Sequence, residues 1–275
     1  MKNKNNKNFV KFICIALAIP LAFMGITFLL QDVYAHKDGY FIPDYKRVNL
    51  TENTDYKTIF EQTGLGKSAI DKLKNEGDFE RIFEYQEYLF NPPEISCNNM
   101  LFSFTKEERM VDDFVDFVDL QPGDILISLS THSMGWRHGH AGIVIDKNGV
   151  LESEVIGTKS KINALSHFTT YGNFAQLRLK NITPEKQEEI ATFCEDSLTD
   201  IPYGLTAGYF GDKAPNLDSK NLRVHCSYLV WYAYNYFGYD IDSDGGRLVT
   251  SHDILHSEEL EIVQIFGMNP KEFIK

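Results

Sequence analysis

The sequence predicts an α+β fold for most of the chain. Three helical patterns fill residues 54–90, apolar and polar residues alternate in several short runs between residues 120 and 180, and three further helices precede a closing strand. Helices followed by a mostly antiparallel sheet with inserted helices are typical of this fold class.

The first 35 residues have the pattern of a secretory signal peptide. Four lysines within residues 1–11 precede an uninterrupted apolar stretch over residues 12–30, and Val33-Tyr34-Ala35 has small residues at the two positions that a signal peptidase reads. The alternative is an uncleaved membrane anchor, because the apolar stretch approaches the roughly 20 residues that span a bilayer. Both interpretations predict a secreted or cell-surface protein.

The charge of the remaining chain excludes one class of partner. Removal of residues 1–35 leaves 23 basic and 38 acidic side chains and therefore a formal charge of −15. Nucleic-acid binding requires basic patches that displace counterions, so we expect no nucleic-acid partner. The remaining 240 residues are enough for one sizeable domain and an accessory segment, which we place at 118–275 and 36–117.

The cysteine count leaves room for a reactive thiol. Cys97, Cys194 and Cys226 remain after cleavage, and an odd number in an exported protein indicates one pair with a free thiol or no disulfide. The pairing of Cys97 with Cys194 is left open. No two cysteines form a CxxC motif, which excludes a zinc ribbon and a thioredoxin-like site.

The accessory segment is predicted to contain three short helices. Thr54, Ser68 and Asp78 are candidate N-caps, and Gly64 and Gly77 are placed to end the first two helices. Asn91-Pro92-Pro93 ends the third helix, since proline disfavours a helical residue before it.

The second part of the chain is predicted to form the sheet. The predicted strands cover residues 125–129, 139–145, 150–155, 175–179 and 261–266. Thr183-Pro184-Glu185 begins a helix, a second apolar helix runs from Cys226 to residue 237 and ends at Gly238, and Ser251 is a candidate cap of a short helix.

His140 is the first candidate functional residue. In the segment from His138 to Ile145 it lies at the mouth of a strand, and the glycines at 139 and 142 leave its imidazole accessible. A histidine that only ends a strand is the structural alternative. A zinc site with His138 and His140 is another, but no third ligand follows at a recognisable spacing.

Cys226 is the second candidate, because it lies at the predicted N-terminus of an apolar helix. The free amides and the dipole of a helix N-terminus stabilise a thiolate, which is the form that attacks a carbonyl. The alternative is a buried structural cysteine.

A carboxylate on the strand beside His140 could orient its imidazole. Glu152 and Glu154 share one face of that strand, so the hairpin register decides which of them lies near His140. The alternative for either is an exposed carboxylate.

These motifs resemble a known family. The HGHAGIVI string, the VLES strand, the turn Pro202-Tyr203-Gly204 and the HCSYLVWYAY helix occur in the order found in circularly permuted papain-like hydrolases, the YiiX-like branch of the NlpC superfamily. In ordinary papain-like enzymes the cysteine helix precedes the histidine strand. The resemblance covers roughly residues 118–266 and does not extend to the helical segment before them.

The resemblance implies a catalytic triad. Carried over by position, Cys226 is the nucleophile, His140 the base and Glu152 the orienting residue, while Tyr203 is placed to bind the oxyanion. It implies an amidase- or peptidase-type cysteine hydrolase without a cofactor, whose substrate is a cell-wall peptide or acyl amide. The alternatives are a lipid acyltransferase or esterase with the same triad, and a binding module without turnover.

One further run is typical of a metal loop. Residues 240–245 read DIDSDG, which matches the first half of a calcium loop, but Ser251 stands where the bidentate glutamate is required. The sequence therefore predicts no metal.

Overall fold

The computed structural model describes residues 13–23, 25–26, 39–99, 105–133 and 136–274. Residues 13–23 and 25–26 are helical and exposed. No helix in these ranges combines the length and the apolar character that crossing a membrane requires. The predicted cleavage site at residues 33–35 lies outside the described residues, so export stays a prediction.

From residue 39 onwards, helices and strands alternate. Helices α1 to α7 are Tyr56–Thr63, Lys67–Glu76, Glu80–Phe90, Ser166–Thr169, Pro184–Ser197, Cys226–Tyr236 and Ser251–Leu255. Strands β1 to β9 are Ile95–Asn99, Thr105–Met110, Ile125–Ser128, Thr131–Ser133, His140–Val144, Gly149–Glu152, Lys161–Ala164, Phe174–Leu179 and Leu260–Phe266. A 3₁₀ helix covers Pro270–Phe273.

The strands form two antiparallel sheets. The larger sheet has six strands in the order β7-β6-β5-β3-β8-β9, and the smaller has the order β1-β2-β4. Every pair of neighbouring strands is antiparallel. The predicted α+β class, with an antiparallel sheet and packed helices, is confirmed.

The main core lies between one face of the six-stranded sheet and helices α5, α6 and α7. Alternate residues of β5 point to opposite faces, so Ala141 and Ile143 join this core while Val144 faces a smaller cluster that contains Phe168 and Tyr171. His140 has the parity of Val144, which places its ring on the face with the smaller cluster.

Helix α6 is apolar around most of its circumference and is buried accordingly. It packs against β5, so its first residue, Cys226, lies near the start of that strand. This packing brings together two segments that are more than 80 residues apart in the sequence.

The segment before residue 118 contains the three predicted helices, with different caps. The side chain of Asp55, one residue after the predicted Thr54, caps α1, while Gly64 and Gly77 end α1 and α2 in the left-handed conformation as predicted. At the start of α7 the cap is Thr250 and not Ser251, because the Thr250 hydroxyl and the Asp253 carboxylate exchange hydrogen bonds in a capping box.

This segment is not wholly helical, since β1 and β2 also belong to it. Strand β2 pairs with β4, so the smaller sheet joins the two sides of the predicted boundary at residue 117. The core under α1 to α3 also includes Val263 and Phe266 of β9. The boundary itself stays a prediction.

Candidate active site

The His140 ring is held by Glu152. Strand β5 pairs with β6 so that Gly142 lies opposite Glu152, which makes Glu152 the diagonal neighbour of His140. His140 Nε2 lies 2.5 Å from Glu152 Oε2. Both side chains are buried, and the His140 ring stacks on Phe168 at a centroid distance of 5.6 Å.

Gly142 makes this diagonal contact possible. A Cβ atom at position 142 would lie 3.1 Å from Glu152 Cγ and 2.6 Å from Val150 Cγ1. Without a side chain at 142, the Glu152 side chain can cross over the strand toward His140. Gly142 therefore opens the path between Glu152 and His140, while the His140 ring itself is buried and not exposed as expected from the sequence.

Glu154 has the same parity as Glu152 but another partner. Its Oε2 lies 2.8 Å from Lys161 Nζ, and strand β6 ends at Glu152, two residues before it. The structure thus brings Glu152 to His140 and directs Glu154 to a half-exposed lysine.

The Cys226 thiol is a hydrogen-bond partner of the His140 ring. Because Glu152 occupies Nε2, Nδ1 is the ring nitrogen left for the thiol. Burial alone would raise the pKa of Cys226, but hydrogen bonds with His140 and His225, together with their charge, hold it well below its usual value. The thiol is also the first residue of α6, where helix amides favour a thiolate.

The pKa shifts of His140 and Glu152 also favour the charged form of each side chain. Burial opposes a charge on His140, yet hydrogen bonds with Cys226 and Glu152 raise the pKa of this imidazole well above its usual value. Burial would likewise raise the pKa of Glu152, but hydrogen bonds with His140 and His167 lower it to about 2. The three groups therefore favour a thiolate, an imidazolium and a carboxylate.

Tyr203 lines the same cavity as Cys226. A bridge between Tyr203 and Val224 fixes it beside the chain that leads into α6, and its amide donates to the Thr158 carbonyl at 3.0 Å. Burial and the charge of Cys226 raise the pKa of the Tyr203 phenol to about 12, so it stays a hydrogen-bond donor at neutral pH.

The cavity beside Cys226 has a volume of about 840 Å³ and a largely apolar wall. Six large apolar side chains that line it are also 37–75% exposed, and we call this set the apolar rim. This apolar rim consists of Trp136, Ile156, Leu205, Tyr209, Phe210 and Leu248.

Sequence reasoning missed His167, which lies on the four-residue helix α4. Its Nδ1 is 2.7 Å from Glu152 Oε2, the same oxygen that contacts His140. Its Nε2 is 3.3 Å from the Tyr171 hydroxyl and 3.9 Å from Glu107 Oε1. No spacing signal could have found it, because α4 is too short to show a period.

His138 does not join the candidate triad. Its Nε2 lies 3.1 Å from Ser133 Oγ and its Nδ1 lies 2.8 Å from the Gly139 carbonyl oxygen. The HxH pair considered from the sequence therefore has its two rings in different hydrogen-bond networks.

Two groups of side chains in the described part of the chain could be considered for a metal ion. In the first, formed by His140, Glu152 and His167, ligand atoms contact each other directly at 2.5 and 2.7 Å. A tetrahedral zinc site keeps its ligand atoms about 3.4 Å apart, so an ion would have to break these hydrogen bonds. The first group therefore fits a hydrogen-bonded network better than a metal centre.

The second group lies in the DIDSDG run and consists of Asp242, Asp244 and Asp253. Asp242 already forms an ion pair with Lys213 at 2.7 Å, and Asp253 caps α7. Two of the three carboxylates thus have structural partners. The expectation that no metal takes part stays a prediction.

No disulfide joins the four cysteines, all of which lie within the described residues. Cys194 is fully buried in the main core, and burial raises the pKa of its thiol. Cys97 lies on β1 with its sulfur 3.7 Å from His132 Nε2.

Comparison with known proteins gives one structural similarity. No protein-family model matches the chain, and no curated protein matches it. Among solved structures, the chain is similar to the metalloprotein yiiX from Escherichia coli O157:H7, with a TM-score of 0.38 and 17% sequence identity. The match covers 52% of this chain and 96% of that chain. This similarity is too low to assign a function, so the chemistry of the site rests on its own geometry.

Proposed function

We propose that the protein is a cysteine hydrolase that cleaves a carbonyl substrate through an acyl-enzyme. The observation that carries the proposal is the connected arrangement of Cys226, His140 and Glu152 at a cavity wall, with a lowered pKa for the thiol and a raised pKa for the imidazole. A thiolate paired with an imidazolium is the activated form of a cysteine nucleophile.

In the first half-reaction, the Cys226 thiolate attacks the carbonyl carbon and forms a tetrahedral intermediate. The intermediate collapses as the imidazolium of His140 gives its Nδ1 proton to the leaving amine or alcohol, which leaves a thioester on Cys226. The phenol of Tyr203 is a donor that can stabilise the oxyanion of the intermediate.

In the second half-reaction, neutral His140 removes a proton from water, which attacks the thioester and releases the acid. Glu152 keeps the imidazole in one orientation and stabilises its charged form in both halves. The thiolate and the imidazolium are then restored.

The first candidate substrate is an amide in a cell-wall peptide. It is supported by the predicted export of the chain and by the family that the sequence motifs resemble, and not by a feature of the cavity. A peptide amide at the surface of the cell would meet an exported enzyme directly.

The second candidate substrate is a lipid acyl ester or acyl amide. It is favoured by the apolar wall and the apolar rim of the cavity, which would bind an acyl chain by removing its surface from water. The same three residues would then form a thioester with a fatty acid. A binding module without turnover is the alternative from another class.

Mass spectrometry of Cys226 tests the proposal. The protein is incubated with purified cell wall and, separately, with a lipid extract, and peptides containing Cys226 are searched for a covalent adduct. We expect an acyl adduct with one of the two preparations, and its mass identifies the substrate class.

Two variants provide the controls. Cys226→Ser should abolish both the adduct and hydrolysis without changing the melting temperature, whereas Cys97→Ser should retain both. Hydrolysis at the wild-type rate by Cys226→Ser would overturn the mechanism. A Cys226 that forms no adduct and reacts with iodoacetamide no faster than an ordinary thiol would favour the binding module.

A further inference from the structure

The Glu152 carboxylate is held by one oxygen only. Oε2 contacts both His140 Nε2 and His167 Nδ1, at 2.5 and 2.7 Å, while Oε1 is buried and accepts no hydrogen bond from a described residue. The terminal torsion of a glutamate side chain has a broad energy profile, so hydrogen bonds and not rotamer preference must set the plane of the carboxylate. The two imidazoles supply those hydrogen bonds.

His167 is itself fixed from the far side. Tyr171, which is fully buried, places its hydroxyl 3.3 Å from His167 Nε2 and donates to Glu107 Oε1 at 3.1 Å. Arg109 binds the other oxygen of Glu107 at 2.7 Å and lies over the Tyr171 ring at 4.2 Å. His167 therefore lies between the carboxylates of Glu152 and Glu107.

We propose that His167 is a positioning residue that fixes the Glu152 carboxylate against His140, and that β2 supports it through Glu107. The proposal rests on the proposed function, because it concerns the same thiol. It assigns a role to the segment before residue 118, which the family resemblance does not cover.

The physical reason is the number of donors that Glu152 needs. With His140 as its sole donor, the carboxylate could rotate and the hydrogen bond to His140 would lose part of its alignment, which weakens it. A less well-placed carboxylate stabilises the imidazolium less, and the imidazolium in turn stabilises the Cys226 thiolate less. Loss of the His167 donor should therefore shift formation of the thiolate to higher pH.

The test measures alkylation of individual cysteines as a function of pH. The full-length protein is treated with iodoacetamide and the rate at each cysteine is read by peptide mass spectrometry. His167→Leu removes the donor and keeps the bulk, whereas the amide nitrogen of His167→Asn lies the same number of bonds from the backbone as Nδ1. Cys194 reports unfolding, since it is fully buried in the folded protein.

We expect the pH midpoint of Cys226 alkylation to rise by about one unit in His167→Leu, so that the rate falls up to about tenfold at pH values below the wild-type midpoint. His167→Asn should recover most of the wild-type rate. Tyr171→Phe, which loses one hydroxyl, should shift the midpoint in the same direction by less. His256→Leu, at an exposed histidine away from the cavity, is the matched control and should equal the wild type.

The outcomes separate the two proposals. If wild-type Cys226 reacts fast and depends on His140, but His167→Leu has the wild-type profile, the positioning role is wrong and the proposed function stands. If wild-type Cys226 reacts as an ordinary thiol, both fail. If labelling of Cys194 shows that His167→Leu unfolds, the other two variants decide the question. An unchanged pH midpoint of Cys226 alkylation in Tyr171→Phe would overturn the positioning role. So would the absence of a reactive Cys226 thiol in a folded His167→Asn protein.

Discussion

Replacement of Glu152 by glutamine tests the orienting residue with the smallest possible change of shape. The amide keeps one oxygen for His140 Nε2 and His167 Nδ1, but it is neutral. Its NH₂ group would take the place of Oε1, which is buried and has no hydrogen-bond partner, so it would become an unsatisfied buried donor. The change therefore removes a charge and adds a polar group without a partner.

The structure sets the size of the effect. The pKa of Glu152 lies at about 2 against a usual 4.5, a difference that corresponds to about 3 kcal/mol in favour of the carboxylate. A neutral hydrogen bond retains about 1 kcal/mol, so about 2 kcal/mol of the stabilisation that Glu152 shares with the His140 and His167 imidazoles is lost. Because one pKa unit corresponds to 1.36 kcal/mol, we expect the pH midpoint of Cys226 alkylation to rise by up to about 1.5 units, with a slower rate at pH values below the new midpoint.

Glu154→Gln is the matched control for this experiment. It makes the same chemical change two residues later, where the carboxylate forms an ion pair with a lysine that is 55% exposed, and such pairs contribute roughly 0–1 kcal/mol. The assay is the iodoacetamide rate at Cys226, followed by turnover once a substrate is known. A damaging Glu154→Gln together with a silent Glu152→Gln would show that the wrong carboxylate has been assigned.

Three further results are expected. Gly142→Ala should slow alkylation of Cys226, because the added Cβ would lie 3.1 Å from Glu152 Cγ and 2.6 Å from Val150 Cγ1. A wild-type alkylation rate at an unchanged melting temperature would contradict this role of the glycine. The free energy of unfolding should fall as the pH decreases from 4.5 to about 2, because the ionised carboxylates of Glu107 and Glu152, whose pKa values are depressed, stabilise the fold above that window. Each carboxylate contributes up to about 3 kcal/mol. In acid denaturation, Glu152→Gln should therefore lose less stability over this pH range than the wild type. EDTA should leave the rate of hydrolysis unchanged, and iodoacetamide should abolish hydrolysis. If EDTA abolished hydrolysis, zinc restored it and iodoacetamide had no effect, a metal mechanism would replace the cysteine mechanism.

The sequence predicted the parts of the fold that have simple apolar patterns. Strands β3, β5, β6, β8 and β9 lie close to their predicted positions because each presents alternating or continuous apolar residues to a core. Helix α6 was equally clear, since its apolar run begins at Cys226 and a glycine follows its end.

Strand β2 could not be predicted because two of its three buried positions are charged. Glu107 and Glu108 are both buried, and they are neutralised by partners that follow later in the chain, such as Arg137, which binds both oxygens of Glu108 at 2.7 and 2.8 Å. A run of charged residues normally indicates a solvated surface. Only the tertiary structure reveals that these charges are paired inside the protein.

The same reasoning explains which site residues were accessible to prediction. Cys226 and His140 begin a regular helix and a regular strand, and Glu152 ends the neighbouring strand of a hairpin. Their positions at the ends of regular elements could therefore be recognised from the apolar pattern of the sequence. His167 lies on a single turn of helix, and its contact with Glu152 depends on how that turn packs over the sheet.

The charges of the site alternate in sign along one continuous path. At neutral pH the directions of the pKa shifts favour an anion at each of the cysteine and glutamate positions and a cation at each histidine. Because arginine is always charged, the path contains three anions and three cations. From the thiol outward, the order is Cys226, His140, Glu152, His167, Glu107 and Arg109.

An isolated buried charge is strongly destabilising, but each of these groups lies beside a group of opposite sign, which is the arrangement in which buried charges persist. Because Glu107 and Arg109 belong to β2, two of the six charges come from the segment before residue 118. We therefore expect the ionisation of Cys226 to depend on a strand that precedes it by more than 115 residues. A change in the packing of β2 should be felt at the thiol even when α6 and β5 keep their positions.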